Sequence, residues 1–130
     1  MANPNLFAAT TASGTTTYLT PGGTTALILV PNAASSGQVF KINQIVVANV
    51  TGSAANATVA IYSNGAVAQG SAPSGGTAYP IVSAVSVPAN ASLIAVDKTT
   101  AVYLMEGSSI SVTSGTSSAL TYTISYEVIS

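Results

Sequence analysis

Leu120, Tyr122, Ile124, Tyr126 and Val128 alternate without a break with Thr121, Thr123, Ser125 and Glu127. Period two over a run of this length fits a β-strand with one face on a core and the other toward solvent or a partner. No stretch of the chain sustains a helical period. Runs of Thr, Val, Ile and Tyr are instead cut at short intervals by clusters of Gly, Pro, Asn and Ser, the pattern of many short strands joined by turns. The expectation is an all-β chain: an antiparallel β-sandwich of about eight strands, jelly-roll or immunoglobulin-like. We place one domain at residues 15–130, preceded by an extended N-terminal arm at 1–14.

Ile110 and Val112 alternate with Ser111 and Thr113, and the Ser/Gly/Thr stretch 114–118 then turns the chain, so 110–113 and 120–128 are expected to pair as a hairpin. Further strands are expected at 24–30, 38–50, 57–63, 81–87, 92–97 and 101–105. In the long one, Phe40, Ile42, Val46, Ala48 and Val50 share a face on which Gln44 marks a bulge. Asn64-Gly65 is a turn dipeptide, and the Ala, Gly, Ser and Pro of residues 66–78 read as a loop long enough to be functional. Asp97 to Thr100 form a turn between two strands.

The 130 residues include no His, Cys, Trp or Arg, and only five charges: Lys41, Asp97, Lys98, Glu106 and Glu127. Acid–base catalysis wants a His or a tuned carboxylate, nucleophilic catalysis wants a nucleophile beside a base, and zinc wants Cys or His. The reading is a non-enzymatic chain without cofactor or metal. Two lysines and a net charge of −1 cannot build a phosphate-tracking surface, so neither nucleic acid nor an anionic membrane is an expected partner. The start carries no secretory pattern, and the apolar runs at 26–31 and 45–48 are too short to cross a bilayer. With 4% charged residues against about 25% in ordinary soluble domains, much of the surface is expected to be buried in an assembly.

The scattered polar groups make no site on their own. Asp97 and Lys98 read as a solvated turn; Asp97 and Glu106 lack the loop signature of a calcium site; Glu127 reads as a charge on a solvated strand face that blunts an edge. The sequons at Asn49, Asn56 and Asn90 arise readily in so Asn- and Thr-rich a chain. Tyr122 and Tyr126 belong to the core by their alternation with Ile124, whereas Tyr18 and Tyr79 lie beside loops and are contact candidates.

Several stretches, in order, resemble a group of small virion structural proteins of tailed phages, common among those infecting cyanobacteria and other aquatic bacteria. They are Met1-Ala2-Asn3-Pro4-Asn5, the run AASSGQVFKIN at 33–43, VVANV at 46–50, VSVPANASL at 85–93, VYLMEGSSI at 102–110 and SYEVIS at 125–130. The chain departs from that group in its poverty of charge and in the Gly, Ser and Ala of its 64–80 loop. The resemblance implies a β-sandwich particle component with no catalytic residues to carry over. It implies a virion location with the capsid surface favoured, in a protein made in the host cytoplasm. It points to a capsid decoration or cement protein bound across major capsid protein subunits, or to other virion proteins of the tail, neck or baseplate; a carbohydrate-binding module or adhesin is the more distant alternative. A homo-oligomer, a trimer by preference, is expected. The candidate contacts are Asn3, Pro4, Asn5, Leu6 and Phe7 of the arm, Tyr18, and Tyr79 with the loop at 65–79.

Overall fold

The computed structural model describes residues 4–100 and 102–130. Among them nine strands follow one another: β1 (Ala12–Leu19), β2 (Leu27–Asn32), β3 (Val39–Asn49), β4 (Ala55–Tyr62), β5 (Ala78–Val87), β6 (Ser92–Val96), β7 (Val102–Leu104), β8 (Ser108–Ser114) and β9 (Leu120–Ile129). Two 3₁₀ turns, Leu6–Ala8 and Lys98–Thr100, complete the regular structure. The first sheet runs β1-β9-β3-β6, with β7 also on β3; the second runs β2-β8-β4-β5. Every pairing is antiparallel.

The pairing order decides between the two expected topologies. β4 pairs with β5, β3 with β6 and β7, β2 with β8, and β1 with β9. The chain is one antiparallel ribbon that turns back between β4 and β5 and is rolled so that successive pairs fall in alternate sheets. That is a jelly roll. β6 and β7 are two halves of one edge strand, since both pair with β3, at Ile45–Ala48 and Phe40–Ile42 respectively. The 3₁₀ turn at Lys98–Thr100 separates them. Asp97 holds that turn, its carboxylate accepting from the Thr99 amide (2.9 Å), the Thr99 hydroxyl (2.6 Å) and the Thr100 amide (3.2 Å).

Three expectations are corrected. The last two strands form no hairpin: β8 lies between β2 and β4, and β9 between β1 and β3. Each presents an apolar row, Ile110 and Val112 on β8, Leu120, Tyr122 and Ile124 on β9, and the two rows are buried in one core. Facing sheets satisfy both rows; adjacent strands of one sheet would leave the core open on one side. In β3, Gln44 does mark a bulge, with the register against β9 shifting between Ile42 and Gln44. The extra residue reverses the parity of everything after it. Ile45 and Val47, fully buried, follow Phe40 and Ile42 into the core, while Val46 and Ala48 turn outward and Val50 is 60% exposed. Finally, β1 is a strand the alternation did not reveal. It takes in residues 12–14, and only Thr17 and Leu19 of its side chains are even partly buried.

The core gathers Leu29 and Val30 of β2, Phe40, Ile42, Ile45 and Val47 of β3, Ala57 and Val59 of β4, Ile110 and Val112 of β8, and the β9 row. Each large side chain buried there contributes about 1.5–3 kcal/mol. Phe40 and Tyr126 meet with ring centroids 5.1 Å apart. Tyr122 joins the two sheets, its hydroxyl donating to the Thr113 carbonyl of β8. Burial pushes its phenol up to about 12, with a backbone contact at Thr58 working the other way.

Two buried asparagines close strand ends. Asn32 donates to the carbonyls of Gln38 (3.0 Å) and Leu104 (3.1 Å) and accepts from the Ser36 hydroxyl (2.6 Å). Asn49 donates to the carbonyls of Ser53 (2.8 Å) and Val87 (3.0 Å) and accepts from the Thr51 amide and hydroxyl. Its amide is thus committed to the interior, and the Asn49 sequon offers nothing to a glycosylating enzyme in the folded chain.

Candidate functional site

The long loop between β4 and β5 is expected to be functional, and it is ordered by many bonds. The Asn64 side chain accepts from the Ala66 amide (3.1 Å) and donates to the Ser74 carbonyl (2.8 Å). The Gly76 amide donates to the Tyr62 hydroxyl (2.9 Å), and the Thr77 amide to the Ser63 hydroxyl (2.8 Å). Two backbone bonds lay the loop along the edge of β2, Ile28 to Ser71 (2.9 Å) and Gly70 to Ile28 (2.8 Å). Asn64-Gly65 is the expected turn, but Gly65 is required there for closeness. A Cβ on it would sit 2.0 Å from the Asn32 carbonyl oxygen.

This loop roofs part of the second sheet. Ser109 and Ser111 alternate with core residues on β8 and therefore point away from the core, yet they are buried. So are Ile28 and Ala60, which flank Ser111 on β2 and β4, and Tyr62, opposite Ser109. The Ser109 hydroxyl donates to the Asn64 carbonyl (2.9 Å).

The outer face of the first sheet carries a different feature. Register places Gly14, Glu127, Lys41 and Tyr103 in one row across β1, β9, β3 and β7. The N-terminal arm passes this row, and Leu6, residues 9–12, Lys41, Tyr103, Glu127 and Ile129 line an open groove of about 410 Å³. The arm is anchored at its C-terminal end by the amides of Thr10 (2.8 Å) and Thr11 (3.1 Å), both donating to the Ser130 carbonyl. Its tip is capped by Asn5, whose side chain accepts from the Phe7 amide (3.0 Å). Leu6 is 47% exposed and Phe7 wholly so.

The candidate contacts therefore do not form one patch. Asn3 lies outside the described residues. Pro4, Asn5, Leu6 and Phe7 sit at the start of β1, and Leu6 alone joins the groove. Tyr18, exposed near the other end of β1, has its carbonyl 3.5 Å from the Gln69 amide of the loop. Tyr79, also exposed, opens β5 in the second sheet and pairs with Ile61. The groove's Lys41, Tyr103 and Glu127 were not legible as neighbours, because only the long-range register of β3 with β9 and β7 brings them together. Asp97 is committed to its own turn. Its carboxyl lies below the usual carboxylate range through the Thr99 hydroxyl and then the Thr99 amide. Among the described residues no group of three His, Cys, Asp or Glu is placed to hold a metal ion. Among them, too, no helix is long and apolar enough to cross a membrane.

Compared with models of protein families, with curated proteins and with solved structures, the chain matches none.

Proposed function

We propose that this chain is a structural component of a phage virion, acting by adhesion, and that its place is the capsid surface as a decoration protein. The observation that carries the reading is the arm, whose tip holds Phe7 wholly in solvent beside a half-exposed Leu6 at the start of a rigid sandwich. An exposed tip of this kind gains by burial on a neighbour, and many copies on one lattice gain avidity without any chemistry. The sequence stretches quoted above support it. So, by analogy of fold alone, does the jelly roll, which recurs in viral capsid domains and in lectins. Major capsid protein subunits are the partner this reading requires.

A place in the tail, neck or baseplate uses the same surfaces. The glycan-binding alternative draws less support, since Tyr18 and Tyr79 stand on different sheets and offer no common stacking platform.

Immunogold electron microscopy of particles from the producing lysate tests the proposal. Label spread over heads supports decoration, label confined to tails or necks moves the protein there, and unlabelled particles overturn the virion reading. Deleting residues 2–9, which spares β1 and the Thr10 and Thr11 bonds, should abolish most particle binding and leave the circular dichroism unchanged.

A further inference from the structure

A two-sheet sandwich has four edge strands, and an open edge is a template for another chain unless something blunts it. Three edges here carry such devices. β2 contains Pro31 and has its Ile28 amide and carbonyl taken by Ser71 and Gly70 of the loop. β5 contains Pro80, two register shifts against β4, and Ala84 at a φ of 50°. The β6/β7 edge is broken by the turn that carries Asp97 and Lys98. β1 has no proline, charge or register shift.

The bonding parity of β1 follows from its neighbour. Thr11 and Ser130 exchange backbone bonds (3.1 and 3.0 Å), and such pairs alternate along an antiparallel ladder. Ser13, Thr15, Thr17 and Leu19 then bond to β9, and the amides and carbonyls of Ala12, Gly14, Thr16 and Tyr18 point off the sheet. The Tyr18 carbonyl, reached by Gln69, agrees with this parity.

We infer that residues 12–16 of β1 pair antiparallel with the same residues of a second copy of this chain. A two-fold axis at Gly14 sets Ala12 opposite the partner's Thr16 and forms about six backbone hydrogen bonds. Small side chains at Ala12, Gly14 and Thr16 let the edges approach. β1 itself carries no charge; the nearest, Glu127 opposite Gly14, stands three strand spacings, about 14 Å, from its copy, beyond the screening length of ordinary salt. A free stretch of about 20 Å on a body about 20 Å thick buries roughly 800 Å² in total, so the dimer is a weak, reversible one. It is isologous; a trimer, the assembly favoured from sequence, cannot close through it.

The inference does not rest on the virion reading, and its test needs only the purified chain. Sedimentation equilibrium up to about 1 mM should show a mass rising from 12.7 kDa toward twice that value. Thr16→Pro removes a donor that faces away from β9 and should hold the chain monomeric with unchanged circular dichroism. Thr16→Lys does the same by charge and decides the matter if the proline variant does not fold. A wild-type chain monomeric throughout, or an assembly, trimer included, that survives in the folded Thr16 variants, overturns the pairing.

Discussion

The two outer faces of the sandwich have similar sequences and opposite fates. On β8, Ser109 and Ser111 point outward and are buried beneath the loop. On β9, Thr121, Thr123 and Ser125 point outward and stay half-exposed; Thr16 pairs with Ser125 (3.0 Å) and Thr20 with Thr121 (2.9 Å) as exposed hydroxyl pairs. Hydroxyl alternation thus marks which side chains leave the core, but not whether water meets them. The difference lies in the Gly- and Ser-rich segment between β4 and β5, whose small residues let a backbone lie on a sheet.

The largest effect that separates the faces is expected at Asn32, where the roofing loop, β2, β3 and β7 meet. Asn32→Ala removes the donor from the buried Leu104 carbonyl and from the partly buried Gln38 carbonyl and should cost about 2–4 kcal/mol in urea unfolding. If the loss is below 1 kcal/mol, the node does not organise the roofed side. Next come two changes under the loop, Gly65→Ala and Ser111→Val, each overfilling a closed space at about 1–3 kcal/mol, whereas Thr123→Val on the open face should stay within about 0.5 kcal/mol. Equal costs for Ser111→Val and Thr123→Val would erase the contrast.

The alkaline limb of stability probes the join between the sheets. Tyr122 titrates higher folded than unfolded, so its contribution is complete below about pH 10 and is lost as pH rises toward about 12. Roughly 2 kcal/mol should disappear across that window. Tyr126, also raised by burial, acts in the same direction. Tyr122→Phe should flatten the limb; an unchanged slope would sever it from Tyr122. The smallest effect is expected at the exposed hydroxyl pairs, where Thr20→Ala should shift stability by no more than about 0.5 kcal/mol.

Much of the fold was legible because its central strands obey a simple period. β9 and the β6–β7 interruption were placed from side-chain alternation and one turn. β1 was hidden because its side chains hardly touch the core; its strand conformation is imposed by β9 and has no apolar signal of its own. The face of β3 beyond Gln44 was misplaced because a bulge can be suspected from one polar residue, while the parity it imposes depends on the partner strand. The arm and the exposed Tyr18 and Tyr79 were recognised as surface. The groove was not, since it is assembled by pairings that span most of the chain.

The position of β9 carries a consequence for how the protein is made. β1 and β3 leave the ribosome early, but they lie in the first sheet with β9 between them. Until residues 120–129 have emerged, the nascent chain holds two strands whose shared neighbour does not yet exist, and such unpaired strands are aggregation-prone. The first sheet therefore closes only once the last strand of the roll is present. Slow, topology-limited folding is built into the order in which the ribbon is wound.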